Sequence, residues 1–169
     1  MKLIYLILII FLFFGYSSCE KPVKYSEIPD IKFLSIPIKD TIIFENHIKR
    51  CVLNYYLIDG DGDIGFKDGD TLPPYEITGN YHNNVLITMY KMVDGIYHVV
   101  DTPEIGTYFK FRTKYIEPIG QNKTLKCTIL IYLDFDTPMS WDSVRFDFYM
   151  YDRALNKSNL ATTGLIVFN

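Results

Sequence analysis

Three observations predict an all-β domain: period-two alternation of apolar and polar residues, many aromatic residues, and the lack of an amphipathic helical stretch. The 169 residues include 14 Tyr and 12 Phe, and aromatic side chains favour strands because they pack well on a pleated, half-buried surface. Seven to eight short strands with turn signals between them, in one domain's length of chain, imply two antiparallel sheets packed as a sandwich.

The elements follow in order. Residues 31–38 read as a first strand marked off by Pro29 and Pro37. Residues 50–58 form a second, with Cys51, Leu53, Tyr55 and Leu57 on one face. A third, 85–93, is turned by Asp94-Gly95 into a short partner over 96–100. Over 107–116, Phe109, Phe111 and Tyr115 alternate with Lys110, Arg112 and Lys114, a basic face suited to an edge strand because charge discourages edge pairing. In the longest run, 124–135, Leu125, Cys127, Ile129, Ile131, Leu133 and Phe135 share a face. Residues 144–151 bury Val144, Phe146, Phe148 and Met150, and 164–168 close the chain. Strand number and length match an immunoglobulin-like sandwich. The antibody disulfide is excluded, since 144–151 contains no Cys.

Ahead of the domain, Met1-Lys2 is a short basic start, residues 3–14 are unbroken apolar, and Gly15-Tyr16-Ser17-Ser18 leads to Cys19. That order is a secretory signal, and the apolar run falls short of the roughly 20 residues that span a bilayer. The small-small-Cys ending resembles the lipobox of bacterial lipoproteins, with Tyr16 where an aliphatic residue is usual. The resemblance implies a signal peptide over 1–18, cleaved to leave Cys19 acylated on its sulfur and its new amine. Residues 19–30 are then the lipidated Cys and a short tether, with two prolines and mixed charge, and 31–169 the single sandwich domain. The alternative is a plain secreted chain with Cys19 left in the leader. Several acyl chains on one residue hold a protein stably at a membrane, where one chain does so marginally.

Without Lys2 the chain has 16 of its 17 basic residues against 20 acidic ones. It lacks the basic cluster that nucleic-acid binding needs. With Cys19 acylated, Cys51 and Cys127 remain. An exported compartment permits a disulfide between them, but neighbours in one sheet seldom meet its geometry, so two buried thiols are the expectation. His47, His82 and His98 are scattered and match no zinc spacing.

Asp59-Gly60-Asp61-Gly62-Asp63-Ile64-Gly65 follows directly on the second strand, and Asp68 and Asp70 continue the acidic run with Lys67 the one base. Crowded carboxylates repel, and Ca²⁺ relieves that repulsion by taking six to eight oxygens from carboxylates and carbonyls. The run resembles the first half of an EF-hand loop. Ile64 stands where that loop has Gly, Asp70 where it has a bidentate Glu, and no helices flank it. Only the ligand chemistry carries over. The competing reading is a solvated, glycine-rich turn. A second loop, 152–159, joins the last two strands, and loops in these two places lie at one end of an immunoglobulin-like sandwich. It reads first as a turn, with Asp152 or Asn156 completing the metal site as the alternative. The candidate ligand set is therefore Asp59, Asp61, Asp63, Asp68, Asp70 and Asp152.

The lipobox, the Ile-Pro-Asp-Ile tether over 28–31, the acidic run and the 152–159 loop together resemble uncharacterised lipoproteins of Bacteroidetes bacteria. The resemblance implies a cell-envelope protein, lipid-anchored at the outer membrane and facing the periplasm or the surface, and it implies no reaction. A non-catalytic binding or structural module with a protein or glycan ligand is expected. The outward tyrosines Tyr56, Tyr132, Tyr149 and Tyr151 are available for contact. A glycan-active hydrolase is the weaker alternative, because the acids crowd into one loop rather than flank a cleft. An accessory or inhibitor subunit of a membrane complex is the third. Cys19→Ala is expected to leave the chain unacylated and in the soluble fraction; partition into membranes at unchanged mass removes the lipoprotein reading.

Overall fold

The computed structural model describes residues 23–100, 109–138 and 141–168. The expected signal peptide, Cys19 and residues 107–108 of the expected basic strand lie outside the described residues. Among those described, no helix is long and apolar enough to cross a membrane. The described elements are all strands: β1 (Asp30–Ser35), β2 (Ile38–Ile43), β3 (Asn46–Asp59), β4 (Val85–Val93), β5 (Ile96–Val99), β6 (Lys110–Phe111), β7 (Leu125–Asp136), β8 (Ser143–Met150), β9 (Ala161–Thr162) and β10 (Ile166–Val167). They form two antiparallel sheets, consistent with a β-sandwich.

β3 is the middle of the first sheet. One edge pairs with β7 from Ile48–Asp136 to Asp59–Leu125. The other is shared, with β2 opposite residues 46–51 and β1 opposite residues 54–58. The expected single strand over 31–38 is thus broken at Pro37, which has no N–H to give a ladder. Its carbonyl accepts from Val52 N at 2.9 Å. β2 continues to a two-residue turn in which Phe44 and Glu45 take φ of 46° and 68°, the left-handed pair that a tight hairpin requires. Lys39, Asp40 and Thr41 hide β2 in the sequence, as polar residues do on protected edges.

In the second sheet β8 lies between β4 and the short pair β9 and β10. The far edge of β4 carries β5 and β6. The expected strand over 107–116 reduces, among the described residues, to Lys110–Phe111. Arg112 does not guard an edge. Its guanidinium lies 4.7 Å from the Phe66 ring centre and donates to the carbonyls of His82 at 2.6 Å and Asp70 at 2.8 Å. Partly buried loop carbonyls are satisfied by such donors.

The core is where the inward rows of β3 and β8 meet. Cys51, Leu53, Tyr55 and Leu57, with Val144, Phe146, Phe148 and Met150, are all 0% exposed and belong to one cluster. Cys51 pairs with Leu133 and Cys127 with Leu57, so about 20 Å of strand separates the two thiols, far beyond the roughly 7 Å a disulfide allows. Both are free.

The Tyr55 hydroxyl is buried and has no hydrogen-bond partner among the described residues. An unsatisfied buried hydroxyl costs about 1–3 kcal/mol. Tyr55→Phe is therefore expected to stabilise the fold by about 1 kcal/mol, whereas Leu53→Ala in the same row should cost about 3 kcal/mol. Urea midpoints measure both, and a destabilised Tyr55→Phe would show that the hydroxyl is satisfied.

Candidate metal site

The inward row of β3 runs Cys51, Leu53, Tyr55, Leu57 and then Asp59. The inward row of β8 runs Val144, Phe146, Phe148, Met150 and, two residues past its end, Asp152. The alternation that builds the core thus turns a carboxylate inward at the end of each central strand. Both carboxylates are 0% exposed. One strand belongs to each sheet, and the loops that follow meet at the same end of the sandwich. There, the N–H groups of Arg153 and Ala154 donate to the Asp63 carbonyl and to Asp63 Oδ2, each at 2.9 Å.

The loop after β3 is held from within. Ile64 and Phe66 are buried, and the Ile64 carbonyl accepts from Ile116 N at 2.9 Å. That anchoring explains Ile64 where an EF-hand has Gly. Gly62 takes φ of +68°, and a Cβ there would lie 2.0 Å from the Lys123 carbonyl, so no other residue fits. In the loop after β8, Asp152 Oδ1 accepts from Asn156 N at 2.7 Å and Oδ2 from Asn156 Nδ2 at 2.8 Å. The turn expected over 152–159 and the inward carboxylate are the same feature.

Asp59, Asp63 and Asp152 each offer an oxygen within 4.8 Å of the others. At an effective dielectric near 20, each charged pair at that spacing repels by roughly 3 kcal/mol. Asp59 Oδ2 accepts from Asp63 N at 3.1 Å. Asp59 Oδ1, Asp61 Oδ1 and Asp63 Oδ1 are buried with no partner among the described residues. Burial, then the charges of Asp61 and Asp63, push Asp59 up to about 7. Burial, then Asp152 and Asp61, push Asp63 up to about 6. Burial also raises Asp152, against the bonds from Asn156.

The remaining candidates divide. Asp61 borders the trio, and its charge helps to raise the Asp59 pKa. Asp68 is exposed and is not among the three converging acids. Asp70 forms an ion pair with Arg153, whose Nη2 is 2.8 Å from Asp70 Oδ1, and accepts from Lys67 N at 2.7 Å. The Arg153 bond holds Asp70 below the usual carboxylate range. All donors of the trio are oxygens, a set for a hard cation such as Ca²⁺ and unlike the His and Cys sets of zinc. The parity of Asp59 and Asp152 is the signal that finds the site; counting acids along one loop includes Asp68 and Asp70 as well.

The outward tyrosines are spread. Tyr132 is 54% exposed, with the Arg50 guanidinium 4.9 Å from its ring centre, and Tyr56 pairs with Lys32 and Thr128. Tyr149 and Tyr151 join Tyr81, Asn80 and His82 around a hollow of about 830 Å³. Another hollow, of about 950 Å³, lies by Asp40, His47 and Asp136. Neither is lined by the converging acids.

No family model matches this chain, and no curated protein or solved structure matches it either.

A carboxyl whose folded pKa lies above its unfolded value of about 3.9 keeps its proton longer in the folded state. Without metal, stability is therefore expected to fall as pH rises from about 4 to about 7, and then to level off. Asp70, shifted the other way, loses its contribution only as pH falls toward or below about 4. Asp59→Asn should flatten the decline. Urea midpoints against pH, in chelator, check this; a rise across the window would overturn the electrostatics.

Proposed function

We propose that this chain is an exported lipoprotein, anchored through Cys19 to the outer membrane, whose folded part is a non-catalytic binding or structural module stabilised by Ca²⁺. One observation carries the metal: a fully buried Asp59 with an unpartnered oxygen, closely spaced with Asp63 from the loop after β3 and Asp152 from the loop after β8. Buried carboxylates ordinarily find a hydrogen-bond donor, a base or a metal. Here Arg153 is taken by Asp70, and a divalent cation would neutralise the trio in its charged form. Asp59, Asp63 and Asp152 are its ligands, with Asp61 at the border.

An immunoglobulin-like order is supported by strand adjacency. β1 and β2, then β3, then β7 form one sheet; β9 and β10, then β8, β4 and β5 form the other. That arrangement parallels the two sheets of the immunoglobulin family. The binding half of the reading draws support from the hollow around Tyr81, Tyr149 and Tyr151, whose rings and amides suit a glycan or protein ligand. Hydrolysis is disfavoured because the acids crowd together in the interior, whereas glycosidase carboxyls stand about 5–9.5 Å apart across a cleft.

Ca²⁺ at a hundredfold excess over Kd should stabilise by about 2.7 kcal/mol. For a domain of this size that is a rise in Tm of roughly 5–10 °C. For the full chain in detergent, the expected result is a rise with Ca²⁺, a smaller one with Mg²⁺, and none for Asp63→Asn with Asp152→Asn. A Tm indifferent to Ca²⁺ and to chelator removes the metal.

A further inference from the structure

The loops that carry the three acids also hold the segment that leads into β1. The Gly60 N–H donates to the Ser26 carbonyl at 2.7 Å. A Cβ on Gly60 would lie 2.5 Å from the carbonyl oxygens of both Tyr25 and Ser26. From the other loop, Asn156 Nδ2 binds Asp152 Oδ2 at 2.8 Å and reaches the Glu27 carbonyl at 3.5 Å. Asn159 donates to the Ile31 carbonyl and accepts the Ile31 N–H, both at 2.8 Å. Tyr25 is held further along by Lys126, 3.9 Å from its ring centre and 2.5 Å from its hydroxyl. Residues 25–31 thus lie across both acidic loops. They reach the sandwich where Asp30 pairs with Ile58, one residue before Asp59.

We propose that metal binding and docking of residues 25–31 are one linked equilibrium, so that Ca²⁺ sets whether the N-terminal segment is locked to the sandwich. This rests on the Ca²⁺ reading above. Gly60 lies between Asp59 and Asp61, and Asn156 bonds the Asp152 carboxylate directly. Repulsion among uncompensated carboxylates therefore spreads the backbone and amide groups that grip Ser26, Glu27 and Ile31. A cation draws them together. Linkage makes the coupling reciprocal: whatever factor Ca²⁺ adds to docking, docking adds to Ca²⁺ affinity. Five residues lie between Cys19 and Tyr25, so the two are at most about 20 Å apart along the chain. With Cys19 in a membrane, the locked segment would hold the metal-bearing end of the sandwich near the lipid, and release would free its orientation.

The test uses the full chain in detergent micelles, with calorimetric Ca²⁺ titration beside hydrogen exchange of residues 25–31 and of the Gly60 amide. Ca²⁺ is expected to slow exchange at both by about tenfold, the size of a typical coupling. Gly60→Ala, which evicts the segment and keeps every carboxylate, should weaken Ca²⁺ binding by a similar factor. Asn159→Ala, which removes both Ile31 bonds, serves the same end should Gly60→Ala fail to fold. Ca²⁺ binding with unchanged exchange in the segment and unchanged affinity in the variants overturns the coupling and leaves the metal site standing. No heat of binding in the wild-type chain overturns both.

Discussion

β3 runs the length of the first sheet and is paired along both edges, with β7 on one side and β2 then β1 on the other. Because its pairing with β7 is continuous from Ile48 to Asp59, the register cannot slip at one end without moving every inward side chain to the wrong face. Cys51, Leu53, Tyr55 and Leu57 are inside for that reason. The second sheet is arranged in the same way around β8, and Tyr55 and Phe148, with ring centres 5.2 Å apart, mark where the two rows touch.

The same register creates the electrostatic problem at the end of the core. Asp59 and Asp152 take the next inward positions after Leu57 and Met150. An apolar residue there would extend the core, and a polar residue one position away would point to solvent. Asp63 adds a third charge, clipped in place by the amides of Arg153 and Ala154. Local alternation and a favourable interior conflict at this end of the sandwich, and a conflict of that kind marks a functional position more often than an accident.

The surroundings show how much structure is spent on keeping the acids where they are. Arg153 is drawn away to Asp70, and Tyr75 donates from its hydroxyl to the Arg153 carbonyl at 2.6 Å. Arg112 ties the carbonyls of Asp70 and His82 together. Both arginines brace the long connection between β3 and β4. The carboxylates of Asp59, Asp63 and Asp152 are left to amide donors and to one another.

Much of the architecture is readable in the order of residues. The inward rows of β3, β7 and β8 repeat every second residue, and burial of large apolar side chains is strong enough to place them without knowledge of partners. The Asp94-Gly95 hairpin is legible for a similar local reason, since φ of 50° and 80° suits those residues. β2 is not legible: its polar residues form a strand because β3 offers them a free edge. Nor is Arg112's inward turn, which depends on carbonyls more than twenty residues away. The acidic run identifies oxygen ligand chemistry, and counting along it cannot separate Asp59 and Asp63 from Asp68 and Asp70. That separation is tertiary. It depends on β8 delivering Asp152 from the opposite sheet and on Arg153 capturing Asp70, contacts across more than eighty residues that local pattern does not encode.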